Sequence, residues 1–200
     1  FSPSVNNFKK IKYMQEVIRQ YDESKCCCIS ILTDKNFGGS LNDILIAKKI
    51  TSKPIIRKDF ILDPYQLYES KMLGADCILL ILSMIDINQA KDLEAEAIDI
   101  GLDVLIETHN KKEMDNALTM KSELVGVNNR NLNDFTVDID NTIILTNASV
   151  CDKIYVSESG IKSRADIDYI VDKSPARTFL VGESLMRSEK LEEQIRTLLS

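Results

Sequence analysis

The sequence predicts a (β/α)8 barrel, and three observations carry that prediction. Short apolar runs recur about every 20 to 30 residues, the length of one βα unit. Between them lie longer amphipathic stretches with helix start and stop signals. Polar residues collect at the ends of nearly all the apolar runs, which is where a barrel gathers its functional groups.

The apolar runs cover residues 29–32, 55–56, 77–82, 104–106, 124–127, 154–156 and 179–181. Each is too short for a helix, so each reads as a strand. A helix is expected over residues 7 to 21, with Phe8, Ile11, Met14, Ile18 and Tyr21 on one face. Only Phe1-Ser2-Pro3-Ser4 precedes it. A βα series that opens on a helix lacks its first strand. The seven runs are therefore strands two to eight of a single domain spanning residues 1–200, with eight helical segments, and the chain enters just after strand one. Phe1 in place of Met agrees with that expectation.

The helices are punctuated as they should be. Asp63-Pro64 supplies an N-cap and a first-turn proline, with Gly74 past the end. Ser40 with Asp43, Asn110 with Glu113, and Ser163 with Asp166 have the form of capping boxes. Ala90, Leu93, Ala97 and Ile100 keep helical spacing before Gly101, and Leu191, Ile195 and Leu198 repeat it near the C-terminus. The stretch from Asp140 to Leu145 carries the weakest helical signal. A doubly wound open sheet is the alternative fold, but the chain has neither G-x-G-x-x-G nor a Walker A sequence.

Composition narrows the function classes. The 200 residues are 44% hydrophobic and 28% charged, with a formal net charge of −6, which argues against nucleic-acid binding. An anionic substrate stays open, because backbone N–H groups bind phosphate on acidic proteins. The five cysteines, Cys26, Cys27, Cys28, Cys77 and Cys151, form no C-x2-C pair. They sit in or beside apolar runs and read as small reduced core residues, hence a cytoplasmic protein. No run approaches the ~18 apolar residues of a membrane span, so no membrane partner is expected.

In a parallel barrel the C-terminal strand ends form the active face. Strand alternation puts Lys58 on the same side as Ile56, in the barrel mouth if Ile56 points inward. A lysine there can donate a proton, bind an anion or form a Schiff base; the plain alternative is a solvated strand end. Glu107 closes an apolar strand and would face the same mouth, unless it only complements a helix dipole. The run Asn128-Asn129-Arg130 can fix hydroxyls and a carboxylate or phosphate, or can simply turn the chain. Gly160 and Gly182 follow strands seven and eight, whose loops frequently bind phosphate. Phe37 and Phe60 read as packing when taken alone. His109 is the only histidine; it reads as a loop residue without a role, and Lys111-Lys112-Glu113 as a solvated helix start. With one histidine, no triad or multi-histidine metal site can be assembled.

Taken together, the motifs resemble those of indole-3-glycerol-phosphate synthases. They are Ile31-Leu32-Thr33-Asp34 with Phe37-Gly38-Gly39-Ser40, Arg57-Lys58-Asp59-Phe60-Ile61, and Gly74-Ala75-Asp76. Glu107-Thr108-His109, Asn128-Asn129-Arg130-Asn131-Leu132, Ser157-Glu158-Ser159-Gly160-Ile161 and Val181-Gly182-Glu183-Ser184 follow in the family's order. The resemblance implies a carboxy-lyase of tryptophan biosynthesis. It would close the indole ring of 1-(2-carboxyphenylamino)-1-deoxyribulose 5-phosphate with loss of carbon dioxide and water. The implied partner is this anionic sugar phosphate, with no metal or organic cofactor.

By resemblance, Lys58 is the general acid, Glu107 a proton-transfer group, and Asn128 and Glu158 orient reacting groups. Ser2, Phe37, Phe60, Arg130, Leu132 and Ser159 fall at substrate-contact positions. Gly160, Gly182, Glu183 and Ser184 fall at phosphate positions. The family's first-strand Glu-x-Lys pair is not in the sequence, and a chain truly lacking it is expected to be inactive. Fusion to, or association with, other tryptophan-pathway enzymes is an option the termini do not decide. Two rivals stay open: another phosphate-binding barrel such as phosphoribosylanthranilate isomerase, and a non-catalytic sugar-phosphate-binding barrel.

Overall fold

Seven parallel strands pair in strict chain order in the computed structural model, which describes residues 11–149 and 151–200. They are β1 (Ile29–Leu32), β2 (Ile55–Lys58), β3 (Cys77–Ile81), β4 (Asp103–Thr108), β5 (Leu124–Asn128), β6 (Ile154–Glu158) and β7 (Thr178–Leu180). Helix α1 (Ile11–Glu23) comes first. One helix follows each of β1 to β6: α2 (Asn42–Lys48), α3 (Pro64–Leu73), α4 (Ile87–Asp99), α5 (Lys111–Ala117), α6 (Asp140–Asn147) and α7 (Arg164–Lys173). Two follow β7: the short α8 (Glu183–Arg187) and α9 (Leu191–Leu199). The sheet curls with its helices outside, the (β/α)8 barrel architecture. Ser2 and the start of the expected first helix lie outside the described residues. Helix α8 is one more than the sequence pattern shows, because five residues are too few to display a period.

Four strands outrun their apolar stretches. β2, β4, β5 and β6 continue through Lys58, Thr108, Asn128 and Glu158. Period-two alternation then sorts the side chains. Ile56, Cys77, Leu79, Ile81, Leu105, Leu124, Val156 and Leu180 pack together with Phe60 as one cluster. Ile78, Leu80, Ile106, Val125 and Val127 belong to a second cluster with helix residues Leu67, Leu93, Met114 and Ile170. The first is the barrel interior and the second the layer between sheet and helices. Met14 and Ile18 of α1 pack with Ile29, Ile31 and Ile44, while the other side of α1 meets α9.

Helix ends bear out the capping signals to different degrees. Asp63 accepts from the Tyr65 N–H at 2.8 Å, and Gln66 reciprocates at the Asp63 N–H, 3.1 Å away. Ser163 and Asp166 form a complete box. At α2 the Ser40 hydroxyl accepts from the Asn42 N–H at 3.3 Å, with the chain already helical at Leu41 and Asp43 buried. At the start of α6, Asp138 Oδ1 accepts from the Asp140 N–H at 3.0 Å. Its first turn is held by Asn129, whose Oδ1 accepts from the Thr142 N–H at 3.1 Å and the Thr142 hydroxyl at 2.8 Å. Part of what holds α6 thus sits 13 positions upstream, beyond the reach of a local pattern.

The cysteine expectation needs correction as well. Only Cys77 is buried; Cys26 and Cys28 are half-buried, and Cys27 and Cys151 are exposed, all five without disulfides. Cys26 to Cys28 lie in the turn before β1 rather than in the strand, so their side chains do not share its burial.

Candidate active site

The interior cluster ends in charge. Two residues beyond Ile56 on β2 is Lys58, two beyond Leu105 on β4 is Glu107, and two beyond Val156 on β6 is Glu158. Two beyond Gly126 on β5 is Asn128, which lies in register with Glu158. Alternation therefore aims all four into the mouth. Lys58 Nζ lies 3.3 Å from Glu107 Oε2 and 3.4 Å from Glu158 Oε2. Asn128 Nδ2 donates to Glu107 Oε1 at 3.0 Å. The two carboxylates are buried, whereas the Lys58 side chain keeps 32% of its surface open to the mouth. An arriving substrate meets the lysine first.

One cation between two buried carboxylates cannot neutralise both, and their protonation splits accordingly. Burial would push Glu107 up, but the Lys58 charge, with His109 and Asn128, overcomes it and holds Glu107 well below the usual carboxylate range. Glu158 goes the other way: burial first, then the Glu107 charge, lift it to about 8 against the pull of Lys58. Burial opposes the Lys58 ammonium, yet the two carboxylates outweigh this and hold it above the ordinary lysine range. At neutral pH the centre thus holds a charged lysine, an ionised Glu107 and a protonated Glu158.

Glu158 fits only because β5 carries glycine two residues before Asn128, in register with Val156. A Cβ on Gly126 would overlap Glu158 Oε1, which is buried and without a hydrogen-bond partner among the described residues. Gly126→Ala is therefore expected to push Glu158 aside and lower turnover about 100-fold, the cost of an ångström-scale misplacement, with far-UV circular dichroism unchanged. Near-normal turnover in that variant would show that the position of Glu158 is not critical.

The neighbouring strand-end residues divide between scaffold and mouth. Asn129 is structural: besides capping α6, its Nδ2 donates to Ser157 Oγ at 3.1 Å and to the Ser159 carbonyl at 3.0 Å. Arg130 opens a small antiparallel hairpin, bridging to Val137, and its guanidinium reaches Glu183 Oε2 at 2.8 Å. The loops after β5 and β7 are thereby tied together. Leu132 sits on this hairpin, 41% exposed. Phe37 and Phe60 face one another with ring centroids 6.2 Å apart, both half-buried.

The loop after β6 passes through two left-handed residues, Ser159 (φ 63°) and Gly160 (φ 87°). A side chain at Gly160 would also come within 2.7 Å of Val137 and 2.9 Å of Ile139. Gly182 differs: it stands at the N-terminal end of α8, and a Cβ there would meet nothing within 4 Å. Its backbone faces open space that a ligand can enter. Ser184 spends its hydroxyl on the Ile161 carbonyl, 2.8 Å away, joining the loops after β6 and β7.

Three participants escaped the sequence reading. His109 is not an idle loop residue: Nε2 lies 3.2 Å from Glu107 Oε1 and Nδ1 3.1 Å from Glu113 Oε2. Glu113 is not simply a solvated helix start, since it also accepts the His109 backbone N–H at 2.7 Å. The E-x-H spacing and a carboxylate four residues on were the available signals. Gly126 left none, because its role depends on a side chain from another strand.

Comparison with known proteins places the chain in a family. A family model described as indole-3-glycerol phosphate synthase matches residues 1–198. The chain is 43% identical over 188 residues to the indole-3-glycerol phosphate synthase of Polynucleobacter necessarius subsp. necessarius (strain STIR1), covering 94% of this chain and 70% of that protein. Against the enzyme of the same name from Azospirillum brasilense it is 45% identical over 183 residues, covering 91% and 70%. Among solved structures, 3-hexulose-6-phosphate synthase from Salmonella typhimurium matches with a TM-score of 0.74 at 16% identity, over 92% of this chain and 91% of that one. A mutant tryptophan synthase α-subunit from Pyrococcus furiosus gives 0.71 at 14% identity, over 96% and 93%. At these identities the solved structures speak for the barrel alone. The sequence relatives and the family model go further: the chain belongs to the indole-3-glycerol phosphate synthase family.

Proposed function

We propose that Lys58, Glu107, Asn128 and Glu158 carry the acid–base steps of the family's reaction in this chain. That reaction is the decarboxylating ring closure of 1-(2-carboxyphenylamino)-1-deoxyribulose 5-phosphate to indole-3-glycerol phosphate. A carbon–carbon bond forms between the aromatic ring and the ketone carbon, carbon dioxide leaves the ring, and water is then lost. Lys58, charged and open to the mouth, protonates the ketone oxygen as the ring attacks. Glu107, held as an anion, accepts a proton on the way to the indole. Glu158, neutral at pH 7 as a carboxylic acid kept protonated by its surroundings can be, hydrogen-bonds the reacting hydroxyl and gives it the proton with which it leaves as water. Asn128 holds Glu107 in line.

The single observation behind this reading is the Lys58–Glu107–Glu158 cluster at the end of the barrel interior. Around it, Phe37 and Phe60 are assigned to the aromatic ring, Arg130, Leu132 and Ser159 to substrate contacts, and Gly160, Gly182, Glu183 and Ser184 to the phosphate through their backbone. Ser2, assigned to the substrate by its motif, lies outside the described residues. The unpaired cysteines support a cytoplasmic setting.

Mixing the natural gene product with the carboxyphenylamino-deoxyribulose phosphate tests the assignment directly. A rise of indole fluorescence with release of carbon dioxide is expected. A folded protein that binds this compound without turning it over would replace the catalytic reading with that of a sugar-phosphate-binding barrel.

A further inference from the structure

His109 is the chain's only histidine, and each of its ring nitrogens faces a carboxylate oxygen. Nδ1 is 3.1 Å from Glu113 Oε2 and Nε2 is 3.2 Å from Glu107 Oε1. Glu113 cannot swing away. Its Oε2 also accepts the His109 backbone N–H at 2.7 Å, and its Oε1 accepts from Asn110 Nδ2 at 2.6 Å. On the inner side, Glu107 is held by Asn128 on Oε1 and Lys58 on Oε2. Asn141 fixes the peptide, donating to the His109 carbonyl at 3.3 Å. The imidazole is mostly buried, with 11% of its side-chain surface exposed.

A neutral ring does not suit this place. Either tautomer carries one N–H and one lone pair, so one nitrogen would present a lone pair to a carboxylate oxygen. Only the doubly protonated ring offers a positive N–H side to both, although Nε2 is not aligned for a full hydrogen bond to Glu107. The inner contact is therefore mainly one of charge. Counting the charged and titratable groups around the ring gives the same answer. Glu113 comes from α5, Glu107 from β4, Lys58 from β2 and Glu158 from β6. With Glu158 protonated, two carboxylates remain for two cations, one of which is His109. Burial opposes the charged ring, but the two carboxylates outweigh it and raise His109 to about 9.

We infer that His109 is a positioning residue for Glu107, an imidazolium strapped between Glu113 and Glu107 that fixes the inner carboxylate and keeps it ionised for proton transfer. The inference rests on the proposed role of Glu107. It adds a second cation to the centre and an anchor, Glu113, that lies outside the mouth and has no contact with the reacting groups. Glu107 is then aligned from three sides, by Lys58, Asn128 and His109.

Nitrogen-15 NMR of the ring tests the charge state without any reliance on turnover, and the pair of signals lost in His109→Gln assigns it. Both ring nitrogens are expected to be protonated at pH 7, titrating near pH 9. A neutral tautomer at pH 7 would overturn the inference even if the enzyme is fully active.

The kinetic arm uses His109→Gln, which keeps a polar group and loses the charge, alongside Glu113→Gln, which weakens only the outer anchor. For His109→Gln, kcat is expected to fall about tenfold or more with KM little changed. The acid limb of the kcat profile should move to higher pH, because Glu107 loses a stabilising cation and takes up its proton more readily. Glu113→Gln should move the limb in the same direction by less. A merely structural histidine would lower the folded fraction and leave the limb in place. Unmoved limbs in both folded variants would overturn the inference.

Discussion

Lys58→Ala is expected to abolish ring closure, with kcat reduced by about 1,000-fold or more, while the barrel stays folded. The size follows from the lysine's position. Among the described residues it is the one cation in contact with both buried carboxylates, and its side chain is the part of the centre most open to the mouth. Removing it takes away the proton for the ketone oxygen and the charge that would steady the developing alkoxide. The fold should survive, because Glu107 keeps Asn128 and His109 as partners and Glu158 is already neutral at pH 7. Stopped-flow fluorescence of indole formation measures the loss, and a thermal melt checks the fold. Turnover within tenfold of the parent, in a folded variant, would remove Lys58 from the acid's role.

Glu158→Gln should separate two quantities that usually fall together. The substitution copies the shape and charge of the protonated acid but cannot release a proton. Turnover is expected to drop about 100-fold or more, while stability at alkaline pH improves. The sign follows from the raised value of about 8. The folded state holds a proton that the unfolded chain, with an ordinary carboxylate near pH 4 to 5, gives up. The associated stability is complete below the unfolded value and is lost as pH rises through about 8. His109, also raised, loses its contribution as pH climbs to about 9, so the parent protein alone does not isolate either group. The difference between parent and Glu158→Gln does. Melting temperatures from pH 5 to 9 should converge at the acid end and favour the variant at the alkaline end. Parallel curves would show that Glu158 is ionised throughout.

Much of this centre was readable from the sequence, for a physical reason. Barrel strands alternate inward and outward, so a polar residue two places beyond an inward apolar one has a known direction. Lys58, Glu107 and Glu158 all satisfy that rule, as do the apolar residues beneath them. The legible part ends where a residue's job depends on a partner far along the chain. Gly126 is a glycine because of Glu158, and the first turn of α6 is tied to Asn129, 13 positions upstream. Cys27 and Cys151 stand beside apolar runs and yet are exposed, because adjacency in sequence says nothing about the bend between. His109 illustrates the same limit in a short loop. Its spacing from Glu107 is visible, but only the turn into α5 brings the ring back against that side chain, with Glu113 closing behind it.

The arrangement also separates when the molecule can acquire structure from when it can acquire activity. Lys58 and Glu158 touch across 100 residues of chain, and Glu107 stands 49 residues from Lys58. Helix capping and βα pairing are local events that form early and independently. No stretch that lacks either residue 58 or residue 158 can assemble the centre, however well ordered it is. A refolding barrel thus regains its helical signal while still chemically silent, and the first turnover reports that the curvature from β2 through β6 has closed. Recovered activity measures long-range closure, a quantity that no spectroscopic count of helices contains.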